Sequence, residues 1–202
     1  KNHPVIKIHE IDYGTPKIDS DVQVTLQIDG VDVTVPVGTS LMRAAVDAGA
    51  DAIGLVFYDK SPRHVDVARA AALAEQVPPF VSVVGLFVNA DAEEVAHVAE
   101  RVPLTLLQFH GDETPQQCTD IARRCRLPFM RAARVRAGLD LVEFADHYRD
   151  AAGLLLDAFV EGYGGGGHVF DWTLIPAQWL PPNPTSLPAS DAPRIVLSGG
   201  LN

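Results

Sequence analysis

The sequence predicts an α/β fold, an incomplete (β/α)8 barrel, and three observations carry the prediction. Six short apolar runs lack the alternation of half-buried strands, amphipathic segments lie between them, and polar residues gather just after several of the runs. Such runs are strands covered on both faces, and strands that alternate with helices pair in parallel through right-handed crossovers.

The chain opens differently. Val22 to Pro36 reads VQVTLQIDGVDVTVP, two alternating runs joined at Asp29-Gly30, which is the signature of a tight β-hairpin. From Leu41 the pattern turns helical, LMRAAVDAGA, and Gly49 is a natural helix stop. The apolar runs come next: AIGLVF from Ala52, FVSVVGLFV from Phe80, TLLQFH from Thr105, FMRAARV from Phe129, GLLLDAF from Gly153 and RIVLSGG from Arg194. Helices are expected between them over Val67 to Val77, Ala92 to Val102, Pro115 to Cys125 and Leu139 to Tyr148. Between Pro176 and Pro193 six prolines mark an irregular surface loop.

An open doubly wound sheet and a closed barrel both satisfy this pattern, and the ends of the runs separate them. Polar residues stand after most of them: Asp59 to Arg63, Asn89, His110 to Glu113, Arg134, Asp157 and Ser198 to Asn202. A barrel delivers every strand end to one rim, whereas an open sheet concentrates chemistry at a single switch point. The distribution favours the barrel, although six strands are found where eight are required.

With 16 Lys+Arg against 26 Asp+Glu the formal net charge is -10, which repels a nucleic-acid backbone and excludes that class of partner. No apolar run reaches the roughly 18 residues of a membrane span and the first residues lack a secretory pattern, so a soluble, cytoplasmic protein is expected, with no membrane partner. The two cysteines, Cys118 and Cys125, lie seven apart on one helix face, too far apart to bridge, and read as core thiols with no metal-ligand spacing around them.

From about Ala45 to Asn202 the motifs resemble phosphoribosylanthranilate isomerase. They are GADAIGLVFYDKSPRHV (Gly49 to Val65), VGLFVN (Val84 to Asn89), LLQFHGDE (Leu106 to Glu113), LLLDAF (Leu154 to Phe159), YGGGGHVFDW (Tyr163 to Trp172) and LSGGLN (Leu197 to Asn202), in that order and spacing. The resemblance implies a TIM barrel represented by strands two to seven, and an aldose-ketose isomerase of tryptophan biosynthesis that needs no cofactor or metal. Two departures stand out. The family's opening strand carries Lys-x-Cys-Gly, whose cysteine is taken as the catalytic base, and here that strand is replaced. The eighth strand is also missing. Residues 5 to 45, through DGVDVTVPVGTSLMRAA (Asp29 to Ala45), instead resemble the N-terminal segment of a formate dehydrogenase α subunit, but no cluster-binding cysteines come after it. The expected organisation is therefore chimeric: residues 1–45 a β-hairpin segment with the start of the first helix, residues 46–202 a partial barrel.

The reaction implied is an Amadori rearrangement of N-(5-phosphoribosyl)anthranilate, in which an acid opens the ribose ring and a base takes the C2 proton. Asp157, closing the apolar run LLLD, suits the acid because burial favours a protonated carboxyl, and a helix-capping Asp is the plainer reading. Neither cysteine can replace the strand-one base, since both belong to an outer helix. His110 is a substitute candidate or a residue that holds loops by hydrogen bonds. Arg63 matches the family residue that faces the anthranilate carboxylate, which an Arg fork suits, and Arg134 is a second cation whose alternative is a rim ion pair. The glycine turns Gly164 to Gly167, including Gly165 and Gly166, and Gly199-Gly200 after Ser198 can point amides at a phosphate. Asp171 is expected to cap a helix.

Three readings compete: an isomerase acting on a small phosphorylated sugar-anthranilate, impaired by the missing base and strand; a non-catalytic truncated barrel that self-associates as a homo-oligomer through exposed strand edges; and a formate dehydrogenase-related fragment without a cluster.

Overall fold

The computed structural model describes residues 21–28, 31–39, 41–47, 49–158, 171–180 and 192–198. Its first element is the hairpin. β1 (Gln23–Ile28) and β2 (Val31–Pro36) pair antiparallel from Gln23↔Pro36 to Ile28↔Val31 and form a two-stranded sheet of their own. The hydroxyls of Thr25 and Thr34 meet at 2.9 Å across the ladder, a stabilising cross-strand pair. Helix α1 (Leu41–Asp47) stops at Gly49, whose φ of 89° is open to glycine at no steric cost.

Six strands then form one parallel sheet: β3 (Ala52–Phe57), β4 (Ser82–Phe87), β5 (Leu106–Phe109), β6 (Phe129–Val135), β7 (Gly153–Ala158) and β8 (Ile195–Ser198). Their spatial order is their chain order, β3 through β8. A doubly wound sheet must reverse its order somewhere, so this monotonic winding is the topology of a barrel. Every apolar run of the sequence becomes a strand, and the predicted incomplete α/β barrel is what forms.

Helices α2 (Val67–Ala74), α3 (Ala92–Ala99), α4 (Pro115–Cys125) and α5 (Leu141–His147) connect them. Asp66, Asp91, Thr114 and Asp140 cap their N-termini by accepting from first-turn amides, and Thr114 and Gln117 close a full capping box ahead of Pro115. Strand alternation divides the sheet into two faces. Leu55, Phe57, Val83, Phe87, Leu107, Phe109 and Phe129 meet Ala70, Val95, Val98, Cys118 and Ile121 of the helices in one dry cluster. The Phe57 and Phe87 rings stack there at 5.3 Å. A second cluster joins Ala133, Val135, Leu154 and Leu156 to Leu141, Ile175 and Trp179.

One expectation is corrected after β7. Asp171 does cap, accepting from the Thr173 amide at 3.0 Å, and the Thr173 hydroxyl and amide hold its carboxyl below the usual range. The residues it caps form no α-helix but a 3-10 turn, Trp172–Leu174, and a second such turn, Ala177–Trp179, comes directly after. Pro176 lacks an amide hydrogen and forces Ile175 into extended backbone, which ends the first turn.

Candidate active site

The face of the sheet turned away from the helices carries the polar groups at its carboxyl end. The register sets Arg134 beside Asp157 and Asp157 beside Ser198. On β5 the same alternation sends Gln108 and His110 to that face, since Leu107 and Phe109 enter the helix-side core. His110 Nε2 lies 3.3 Å from Asp157 Oδ2, with their side chains 11% and 10% exposed. Gln108 Nε2 lies 3.1 Å from His110 Nδ1. β5 and β7 are not neighbours, and two strand spacings separate them by about 9–10 Å. The contact therefore passes over β6. Continuing the β5–β6 register sets Ala132 opposite His110, and its single methyl leaves the room.

A second network fixes the loop between β5 and α4. Glu113 accepts from the Asn89 amide at 2.7 Å and the Gly111 amide at 2.9 Å, while its own carbonyl accepts from the Tyr148 hydroxyl at 2.7 Å. Arg131, on β6, donates to the carbonyls of Phe109 and Gly111, each at 2.8 Å, and its guanidinium lies 5.0 Å from the Tyr148 ring centre. Gly111 has no room for a side chain, because a Cβ would collide with Asn89. The loop thereby presents Asp112, which accepts from Arg134 and from whose amide Asn89 Oδ1 accepts at 2.7 Å.

Of the residues singled out from sequence, Asp157, His110 and Arg134 come together at this rim, and Arg134 has the ion pair named as its alternative role. Arg63 is exposed in the loop after β3, where Ser61 Oγ accepts its amide at 3.1 Å. That loop is pinned to its strand by the Val65 amide donating to Val56 and by His64 Nε2 at 3.1 Å from Asp59. Gly165, Gly166, Gly199 and Gly200 lie outside the described residues. Cys118 is fully buried in the helix layer, where burial pushes its thiol up to about 12. It cannot serve as a base at the rim. Among the described residues no cluster of His, Cys, Asp or Glu is arranged to hold a metal.

Gln108 and Arg131 were not singled out from sequence, and Glu113 was read only as one of the polar residues gathered after a strand. Their signal is a polar letter inside an apolar run, in TLLQFH and FMRAARV, or at a strand end.

Sequentially wound parallel strands with a buried carboxyl-imidazole pair at their carboxyl rim define a barrel protein of the (β/α)8 class. Residues 31–202 match the family model described as N-(5'phosphoribosyl)anthranilate (PRA) isomerase. The chain belongs to that family. It is 68% identical over 158 residues to the N-(5'-phosphoribosyl)anthranilate isomerase of Ralstonia nicotianae, covering 78% of this chain and 67% of the relative. It is similar to the crystal structure of phosphoribosyl anthranilate isomerase from Thermotoga maritima, with 40% identity, a TM-score of 0.64 and coverage of 78% of this chain and 70% of the other. A further structure of the enzyme, in complex with reduced 1-(o-carboxyphenylamino)-1-deoxyribulose 5-phosphate, matches at 37% identity and a TM-score of 0.60, covering 78% and 69% of the two chains.

Proposed function

We propose that the chain is an aldose-ketose isomerase acting on N-(5'-phosphoribosyl)anthranilate in tryptophan biosynthesis, with Asp157 as general acid. The observation that carries this is the pairing of Asp157 with His110 at the rim: a carboxyl at the carboxyl end of a barrel strand, nearly dry and held in one orientation. Asp157 gives its proton to the ribose ring oxygen as the C1–O bond breaks, and the anthranilate nitrogen supplies the electron pair that forms the C=N bond. The C2 proton then leaves to a base, and neither cysteine of this chain stands where it could take it.

Arg63 faces the anthranilate carboxylate in a protein of net charge -10, and Arg134, whose charge is matched by Asp112, is the second cation at the rim. Gly165, Gly166, Gly199 and Gly200 offer amides to the phosphate. A metabolic isomerase of this kind belongs in the cytoplasm, and no helix among the described residues is long and apolar enough to cross a membrane. Residues 5 to 45 are read as a foreign segment like that of formate dehydrogenase, joined in a chimera; among the described residues their β1–β2 hairpin pairs with no strand of the parallel sheet, while the family match begins within the segment, at residue 31.

Titration calorimetry with reduced 1-(o-carboxyphenylamino)-1-deoxyribulose 5-phosphate tests the site. Binding is expected, weakened about 10- to 100-fold in Arg63→Ala by loss of a charge-assisted hydrogen bond. No binding, or equal binding by Arg63→Ala, removes the proposed substrate site.

A self-associating barrel is the second reading, favoured by one observation: among the described residues, β3 and β8 are the outer strands of the parallel sheet. Unpaired strand edges invite pairing with another copy. Sedimentation velocity showing one monomeric species at all concentrations would eliminate it.

A further inference from the structure

The isomerase reading assigns Asp157 a proton but does not say which oxygen carries it, and the residues behind Asp157 answer that. Gln108, His110 and Asp157 form a line on the inner face of the sheet, all buried, with contacts of 3.1 Å and 3.3 Å. A neutral imidazole has one nitrogen that donates and one that accepts, so a partner that fixes either nitrogen fixes both. The amide nitrogen of Gln108 can only donate, and it faces Nδ1. Nδ1 is then the bare nitrogen, and Nε2 carries the hydrogen toward Asp157 Oδ2.

We propose that Gln108 fixes His110 as the Nε2–H tautomer, making His110 a standing donor to Asp157 Oδ2 and leaving Asp157 Oδ1 as the oxygen that carries the proton to the substrate. The proposal deepens the isomerase reading and rests on it for the catalytic consequence. Gln108 and His110 are positioning residues. An Oδ2 already occupied by an N–H leaves Oδ1 as the site for the acid's proton. When that proton passes to the ring oxygen and the C1–O bond breaks, the carboxylate left behind meets a donor that needs no reorientation, which is where preorganised dipoles help a reaction most. The small Ala132 beneath the contact lets the line cross from β5 to β7 without displacing β6.

The tautomer can be read without turnover. Long-range proton-nitrogen spectra of protein labelled with nitrogen-15 in histidine distinguish the two ring nitrogens, and His110→Gln identifies the His110 signals among the seven histidines. The expected pattern is a bare Nδ1 and a protonated Nε2. Gln108→Glu, nearly isosteric, replaces the donor with an acceptor and is expected to place a hydrogen on Nδ1, which is bare in the unsubstituted protein. In turnover, Gln108→Glu is expected to lower kcat by about 100-fold with KM nearly unchanged, because it misorients the acid without touching substrate. A protonated Nδ1 in the unsubstituted protein, or a tautomer indifferent to Gln108→Glu, overturns the proposal. If the tautomer behaves as stated and the substrate is not bound or turned over, the positioning device stands and the isomerase reading fails.

Discussion

Arg131 and Glu113 form an ion pair from which water is nearly excluded: Nη1 lies 3.5 Å from Oε2, with side-chain exposures of 6% and 3%. The pair fastens the middle of the sheet to the loop that supplies Asp112 to the rim. Arg131 Nε has no hydrogen-bond partner among the described residues, so the cation depends on Glu113, two carbonyls and the aromatic faces of Tyr148 and Phe144. Removing one partner of such a pair strands the other charge in a dry site. Glu113→Ala is expected to cost about 3–5 kcal/mol in chemical unfolding. A loss below about 1 kcal/mol would mean the pair is solvated.

Gly111 tests the same loop by sterics alone. An added Cβ would lie 2.7 Å from the Asn89 amide nitrogen and closer still to its side-chain oxygen, while Asn89 itself holds a φ of 55°. Gly111→Ala is expected to destabilise by about 1–3 kcal/mol, in the range of overpacking. A midpoint of unfolding equal to that of the parent would show that the loop gives way freely.

Cys118 sets an alkaline limit. Burial raises its thiol from 9.0 to about 12, an increase that nearby Glu113 adds to and Arg131 offsets. The folded state therefore keeps this proton more tightly than the unfolded state. Its stabilising contribution is complete below pH 9 and is lost as pH climbs from about 9 toward 12. Urea midpoints should fall over that window and fall less in Cys118→Ala, although that variant starts lower because it leaves a small cavity. In native protein the thiol should resist alkylation until unfolding. Rapid labelling of Cys118 at pH 8 would contradict its placement.

The strands are legible in the sequence because each is a short, mostly apolar run without regular alternation, as in AIGLVF or LLLDAF. Asp157 is legible for the same reason: it is the polar letter that closes such a run. The partners of these residues are not. His110 reaches Asp157 only because β5, β6 and β7 lie in register and Ala132 is small, and register is a property of the assembled sheet. Arg131 reads as an interruption of FMRAARV, and nothing local in that run points to Glu113 in a different loop. The segment after Asp171 reads as a helix because the cap signal is genuine, while the stop signal at Pro176 arrives within a single turn.

The central claim, that Asp157 is the proton donor of a working rim, is tested most directly by turnover of N-(5'-phosphoribosyl)anthranilate, followed through the loss of its fluorescence, in the parent chain and in Asp157→Asn. A fall in kcat/KM of about 100- to 10,000-fold is expected, with binding of the reduced product analogue retained. Turnover by the parent that survives unchanged in Asp157→Asn contradicts the assignment.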